Sequence, residues 1–122
     1  MDRLGGRGAE GRDIVSAEGF SPAALIEMAE RFRALGEPAR LALLEALRNG
    51  EQSVGELVLI TGQTQGNVSR HLAILHTAGL VSRRRDGIYV YYGVADDEVW
   101  TLCDLVCSRL RRGADEMRRA VG

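Results

Sequence analysis

The chain has 122 residues, 45% of them hydrophobic and 27% charged, with 16 basic against 17 acidic side chains and a net charge of −1. That length fits one domain around one modest core. The charge balance excludes a bulk polycation, no apolar run nears the roughly 18 residues of a bilayer span, and residues 1–6 lack the apolar segment of a signal peptide, so a cytoplasmic location is expected.

Residues 1–20 read as a glycine-rich leader, with Gly5, Gly6, Gly8, Gly11 and Gly19 among scattered charges. Such a stretch buries too little to offset its ordering entropy, which predicts disorder. A DNA-embracing arm built on Arg3, Arg7 and Arg12 is the functional alternative, opposed by Asp2, Glu10 and Asp13.

The main domain is expected over 21–112, with 113–122 a charged, frayed tail. Ser21-Pro22 is an N-cap followed by proline at the first helical position. The helix it opens runs to about Leu35, with Leu25, Met28, Ala29 and Phe32 on its apolar face and Gly36 as its stop. Glu37-Pro38 opens a second helix to Arg48, stopped by Asn49-Gly50. There Leu41, Leu44 and Leu47 share one side and Leu43 widens the stripe. Ser53 and Glu56 form a capping box for a short third helix carrying Leu57, Val58 and Ile60.

Thr61-Gly62 then turns the chain into a fourth helix. Thr64 caps it, Val68, Leu72 and Leu75 make a narrow apolar stripe, and Gly79 stands where a left-handed C-cap residue belongs. With Val68 at the middle of the buried face, turns of about 100° place Gly66, Arg70 and Ala73 opposite, with Asn67 and Ile74 beside them. A slim outer face approaches another surface closely, and Arg and Asn are the side chains that read guanine and adenine edges in the major groove. Two helices joined by a short glycine turn form a helix-turn-helix, and this one is its candidate DNA reader.

Two strand-like runs follow, 80–85 and 88–92. Asp86-Gly87 between them is a pair favoured in a two-residue type I′ turn. Alternation puts Arg83 and Arg85 on one face of this hairpin and Arg84 on the other. From Gln63 to Tyr92 the bases are Arg70, Arg83, Arg84 and Arg85 against Asp86 alone, a local balance of +3 in a chain that is acidic before Gly62. An arginine triplet beside a reader helix suits phosphate or minor-groove contact, which gives affinity and salt dependence rather than sequence choice. The candidate DNA-contacting set is Thr64, Gln65, Asn67, Ser69, Arg70 and His71 on the helix and Arg83, Arg84, Arg85 and Tyr89 on the hairpin.

Asp96-Asp97-Glu98 places negative charge at the start of a last helix, expected over about 96–112. Val99, Leu102, Cys103, Val106 and Leu110 stripe it, and Trp100, Leu105 and Cys107 widen the stripe beyond what a small core needs. That excess suggests packing against a second copy. Cys103 and Cys107 stand four apart, which puts both sulfurs on one helical face but gives poor geometry for an intrachain disulfide.

Helix, helix, helix-turn-helix, hairpin, helix is the order of the ArsR/SmtB family of winged-helix repressors, and the wording is similar. Phe32-Arg33-Ala34-Leu35-Gly36-Glu37-Pro38-Ala39-Arg40-Leu41 resembles that family's approach to its second helix. Asn67-Val68-Ser69-Arg70-His71-Leu72 with Leu75 and Ala78-Gly79-Leu80-Val81 resembles its recognition helix. Arg84-Arg85-Asp86-Gly87 with Tyr89, Tyr91 and Tyr92 resembles its wing. The likeness covers about 24–110. It implies a mainly α winged helix-turn-helix of five helices with a small β-hairpin, and a homodimer formed by the first and last helices. It further implies an inverted-repeat operator on double-stranded DNA and repression relieved when an effector favours the DNA-incompetent state.

The resemblance does not carry over the family's best-known effector sites. Arsenic-sensing relatives hold Cys-x-Cys in the third helix, where this chain reads Val54-Gly55-Glu56-Leu57-Val58-Leu59. Zinc-type relatives use Asp and His early and two His late in the last helix, where Arg109 and Arg112 stand here. Persulfide-sensing relatives pair a last-helix cysteine with one in the second helix, which has none. Cys103 and Cys107 remain as the candidate ligands for a soft metal or metalloid, such as As(III), Cd or Hg, or for an oxidant or sulfur species, with four thiols if the last helices pair. Cysteine also packs as a small hydrophobe, and that reading stands beside the sensing one. His71 is expected to be a partly buried orienting residue or a phosphate contact. His76 sits near the reader helix's C-terminus, where a cation is favourable, and no further role is expected of it.

Two other classes stay open. An enzyme would need a constellation of base and nucleophile that two His and two Cys do not supply. A dimerising module without DNA binding would not need the slim helix face. DNA binding itself requires no cofactor, and a repressor with no metal ligand is the nearer alternative.

Overall fold

The computed structural model describes residues 15–16 and 19–121. The arm of Arg3, Arg7 and Arg12 and most of the leader lie outside these residues. At the end of the leader β1 (Val15–Ser16) pairs antiparallel with β2 (Gly19–Phe20), so these four residues are ordered.

Five helices follow, α1 (Pro22–Leu35), α2 (Pro38–Ala46), α3 (Val54–Thr61), α4 (Gln65–Thr77) and α5 (Glu98–Val121). Their caps are those the sequence dictates. Ser21 Oγ accepts from the Ala24 N–H at 3.1 Å. The Ser53–Glu56 box is closed in both directions, at 3.2 and 2.7 Å. Gly62 ends α3 at φ 74°, a left-handed value that a Cβ would strain. α2 stops at Ala46 rather than Arg48, because Leu47–Asn49 tightens into a 3₁₀ turn before Gly50.

The hairpin is β4 (Val81–Asp86) and β5 (Tyr89–Val94), paired antiparallel with Asp86 opposite Tyr89. The turn is therefore Gly87-Ile88, not Asp86-Gly87. Gly87 alone has positive φ, at 64°, which fits a turn with glycine first and not the type I′ form that needs two such residues. A third strand, β3 (Gln52–Ser53), adds to the far edge of β5, giving the order β3-β5-β4. Two residues are too few to show period-two alternation, so the sequence carried no sign of it.

Leu43, Leu44, Leu47, Leu57, Val68, Leu72 and Leu75 are fully buried and close the core where α2, α3 and α4 meet, with Val81 and Val99 at its edge. Other expected core residues are not covered. Leu25, Phe32, Leu41 and Ile60 are exposed, and Leu105, Val106 and Leu110 stand exposed along α5.

α5 also corrects the expected stop at Arg112: it continues through Gly113 to Val121. One glycine costs a helix about 1 kcal/mol, and the run Ala114, Glu116, Met117, Arg118, Arg119 is made of good helix formers. Arg118 pairs with Asp115 one turn back, and Arg118 and Arg119 complement the C-terminal dipole. Among the described residues no helix is long and apolar enough to cross a membrane.

Candidate nucleic-acid interface

α4 is fixed at both ends before its outer face matters. At its start the Thr64 hydroxyl accepts from the Asn67 N–H at 3.2 Å. At its end the Gly79 N–H reaches His76 O at 3.0 Å and the Leu80 N–H reaches Leu75 O at 2.9 Å, the paired bonds of a Schellman stop. Gly79 adopts φ 78° and Leu80 packs back on the core. Before the helix, Gln63 donates from Nε2 to Ala39 O at 3.0 Å and ties the turn to α2.

The buried face consists of Val68, His71, Leu72 and Leu75. Gln65, Gly66, Asn67, Ser69, Arg70 and Ala73 are exposed, and a Cβ at Gly66 would meet nothing. Arg70 donates from Nη2 to Asn67 Oδ1 at 3.2 Å. The two candidate base readers are thus joined on one face, one turn apart.

His71 lies on the buried face, as the orienting alternative expects. Only 5% of it is exposed, and Nδ1 lies 3.1 Å from Arg40 Nη1. Burial, then repulsion from Arg70 and Arg40, pushes its pKa below the ordinary histidine value, so the ring is neutral and Nδ1 accepts. Arg40 also donates to Ala34 O at 2.5 Å and Arg33 O at 3.2 Å, filling the open carbonyls at the end of α1. Sequence reasoning missed Arg40 because its partner lies 31 residues away and no local spacing marks it.

The arginine triplet divides. Arg84 is held by Glu51, with Nη2 2.8 Å from Oε1, and its guanidinium lies 5.0 Å from the Tyr91 ring centroid. Hydrogen bonding from Arg84 also holds the Glu51 carboxyl below the usual carboxylate range. Arg84 thus differs from the other two candidate contacts in already having an anionic partner. Arg83 and Arg85, on the other face, make no ion pair among the described residues. Tyr89 is exposed 6.4 Å from Tyr91, and Ile88 is exposed at the hairpin tip. The exposed helix residues and the free arginines form a polar and cationic set that suits a phosphate-lined groove.

The cysteines lie elsewhere. A groove of about 430 Å³ runs between α1, α2 and α5, bounded by Phe32, Leu41, Leu44, Trp100, Cys103 and Cys107. Cys107 is exposed, and Arg111 Nη1 lies 3.1 Å from its sulfur. Burial pushes the Cys103 thiol up, and Arg48 partly offsets this. Among the described residues no cluster of three or more His, Cys, Asp or Glu side chains is arranged to hold a metal ion.

Comparison with known proteins follows the same outline. Residues 37–83, from the start of α2 into the hairpin, match the family model described as bacterial regulatory protein, arsR family. Over 99 residues the chain is 39% identical to the HTH-type transcriptional regulator NmtR of Mycobacterium tuberculosis, covering 81% of this chain and 82% of that protein. Over 68 residues it is 46% identical to the protein named "Probable mercury resistance operon repressor" of Streptomyces lividans, covering 56% and 54% respectively. Its fold is similar to the homodimeric winged helix-turn-helix DNA-binding domain Mb0332 (fragment 1–100) of Mycobacterium bovis, with a TM-score of 0.70 and 32% identity over 77% of this chain and 87% of that one.

Proposed function

The chain belongs to the ArsR family of bacterial regulatory proteins, and from that premise we propose that it is a homodimeric transcriptional repressor reading an inverted-repeat operator. The observation that carries this reading is the outer face of α4. It presents Asn67 joined to Arg70 between the small residues Gly66 and Ala73, on a helix capped at both ends. Arg83, Arg85 and Tyr89 supply phosphate or minor-groove contacts beside it, and Thr64, Gln65 and Ser69 line the approach. Arg84 acts through the hairpin it braces.

Leu25 and Phe32 of α1 and Leu105 and Leu110 of α5 are exposed in one chain. A second copy packed on these two helices removes that surface from water and sets two α4 helices for successive half-sites. The Mycobacterium bovis domain is homodimeric, which supports the arrangement.

Release from DNA is assigned to a thiol-binding effector at Cys103 and Cys107: As(III), Cd, Hg, or an oxidant or sulfur species. The two thiols share one face and border one groove, and the Streptomyces relative is named for mercury resistance. Thiolates suit soft ions, and binding would release the proton that burial holds on Cys103. One chain offers two sulfurs; pairing of α5 with its twin offers four. The burial of Cys103 also favours a second reading, in which the cysteines pack and the repressor has no metal ligand. A panel of these agents, added to a complex with DNA from the protein's own promoter, tests the effector assignment. Release by a thiol-binding agent supports it; retention throughout the panel favours the second reading. Absence of any salt-sensitive, sequence-specific complex overturns the repressor reading itself.

A further inference from the structure

Residues 48–51 run from the 3₁₀ turn after α2 into β3, the strand that pairs with β5 of the hairpin, and both ends of this segment are gripped. At one end Arg48 forks onto Asp104 of α5, with Nη2 2.6 Å from Oδ1 and Nη1 3.3 Å from Oδ2. Its Nε lies 2.9 Å from Glu45 Oε1, and its guanidinium lies 5.5 Å from the Trp100 ring centroid. Trp100 in turn donates from Nε1 to Leu44 O at 3.0 Å. At the other end Glu51 accepts from Arg84 Nε and Nη2, at 3.0 and 2.8 Å. Gly50 between them has φ 118°, and Glu51 lies so close to β5 that a Cβ at Gly93 would come within 3.3 Å of its Cγ.

The geometry points to Arg48 as a positioning residue that carries the pose of α5 through the 48–51 segment into the DNA-contacting hairpin. The proposal rests on the reading of Arg83 and Arg85 as phosphate contacts. Asp104 and Arg84 are both well exposed, so these pairs add little to global stability. Their effect is directional: a two-pronged arginine–carboxylate fork and a stacked guanidinium plane fix orientation where a single charge pair would not. Because both ends of the segment are held, a movement of α5 that shifts Arg48 pulls on Glu51 and on the strand that follows it. Arg48 and Glu45 lie on α2 and its 3₁₀ turn, Asp104 lies on α5, and all three are the charged groups felt by Cys103. A change of charge at that thiol therefore acts electrostatically on the clasp.

The full chain is titrated by fluorescence anisotropy onto a duplex that the wild-type protein has selected from a random pool, at several NaCl concentrations. Each phosphate contact contributes a slope of about −0.9 in log affinity against log salt. Arg48→Met keeps a long unbranched side chain beside Trp100 and removes the guanidinium and its fork. It is expected to weaken binding about tenfold and flatten the slope by about two contacts, the share of Arg83 and Arg85. Asp104→Asn, an exposed isosteric change that the fold tolerates, moves both readouts the same way. The exchanged pair Arg48→Asp with Asp104→Arg restores most of the slope. Wild-type slopes in both Arg48→Met and Asp104→Asn would overturn the proposal; if Arg48→Met does not fold, Asp104→Asn with its charge-exchanged partner decides. Failure of the wild-type protein to select any duplex overturns the DNA-binding reading instead, and is distinguishable as such.

Discussion

Arg40 and His71 meet at 3.1 Å, Nη1 to Nδ1, and through that contact α4 is fastened to the end of α1. The same guanidinium closes the carbonyls of Arg33 and Ala34. One arginine therefore sets the angle between the reader helix and a helix whose apolar side is exposed in the single chain. The contact needs a neutral imidazole, since a protonated Nδ1 cannot accept.

Stability should fall with acid on that account. Burial and two neighbouring cations hold the folded-state pKa of His71 below its ordinary value of about 6.5, so the unfolded chain takes the proton first. The contribution is complete above about pH 6.5 and is lost as pH drops through and below it. Melting curves from about pH 7.5 to 5.5 should show a decline that flattens in His71→Gln, whose amide oxygen can still accept from Arg40. An equal decline in both proteins would assign the acid sensitivity to other groups.

Asn67 and Arg70 should behave as a unit. If Arg70 makes a bidentate base contact, Arg70→Ala costs about 1–3 kcal/mol of specific binding and relaxes choice at one position per half-site. Because Asn67 orients Arg70 through a 3.2 Å bond, the Asn67→Ala and Arg70→Ala effects should be less than additive. Footprints and affinities equal to wild type in both variants would remove these residues from the interface.

The hairpin arginines should fall into two classes. Arg83→Ala and Arg85→Ala each reduce the salt slope by about 0.9 and add independently. Arg84→Gln and Glu51→Gln, the two sides of one ion pair, give the same loss singly as together. Three equal and additive effects would mean that Arg84 leaves Glu51 for the DNA.

Replacement of both cysteines separates sensing from reading. Cys103→Ser with Cys107→Ser should bind DNA as the wild type does and should no longer be released by As(III), Cd or Hg. Gel-shift titrations with each agent measure this. Unchanged release from the double variant would place the effector elsewhere.

Much of this molecule was legible in its sequence because the signals are local. Ser21-Pro22, the Ser53–Glu56 box, Thr64 and Gly79 each act within a few residues, and each cap is in place. The period of Val68, Leu72 and Leu75 fixed which side of α4 faces out. What the sequence hid is non-local. Arg84 looks like its neighbours until the fold brings Glu51, 33 residues away, against it. Arg40 and Arg48 carry no local signal of their roles, since their partners lie 31 and 56 residues off. β3 was too short to see. The end expected at Arg112 fell short because the good helix formers beyond it outweigh the cost of Gly113.

The central claim is a symmetric DNA reader, and footprinting on a duplex selected by the protein tests it most directly. The account predicts two protected half-sites in inverted repeat, centred about one helical turn, roughly 10 base pairs, apart or a multiple of it, with two chains bound per duplex. Protection should fade as salt rises. A single unsymmetric footprint with one chain bound, or no sequence-specific protection at any salt concentration, would contradict it.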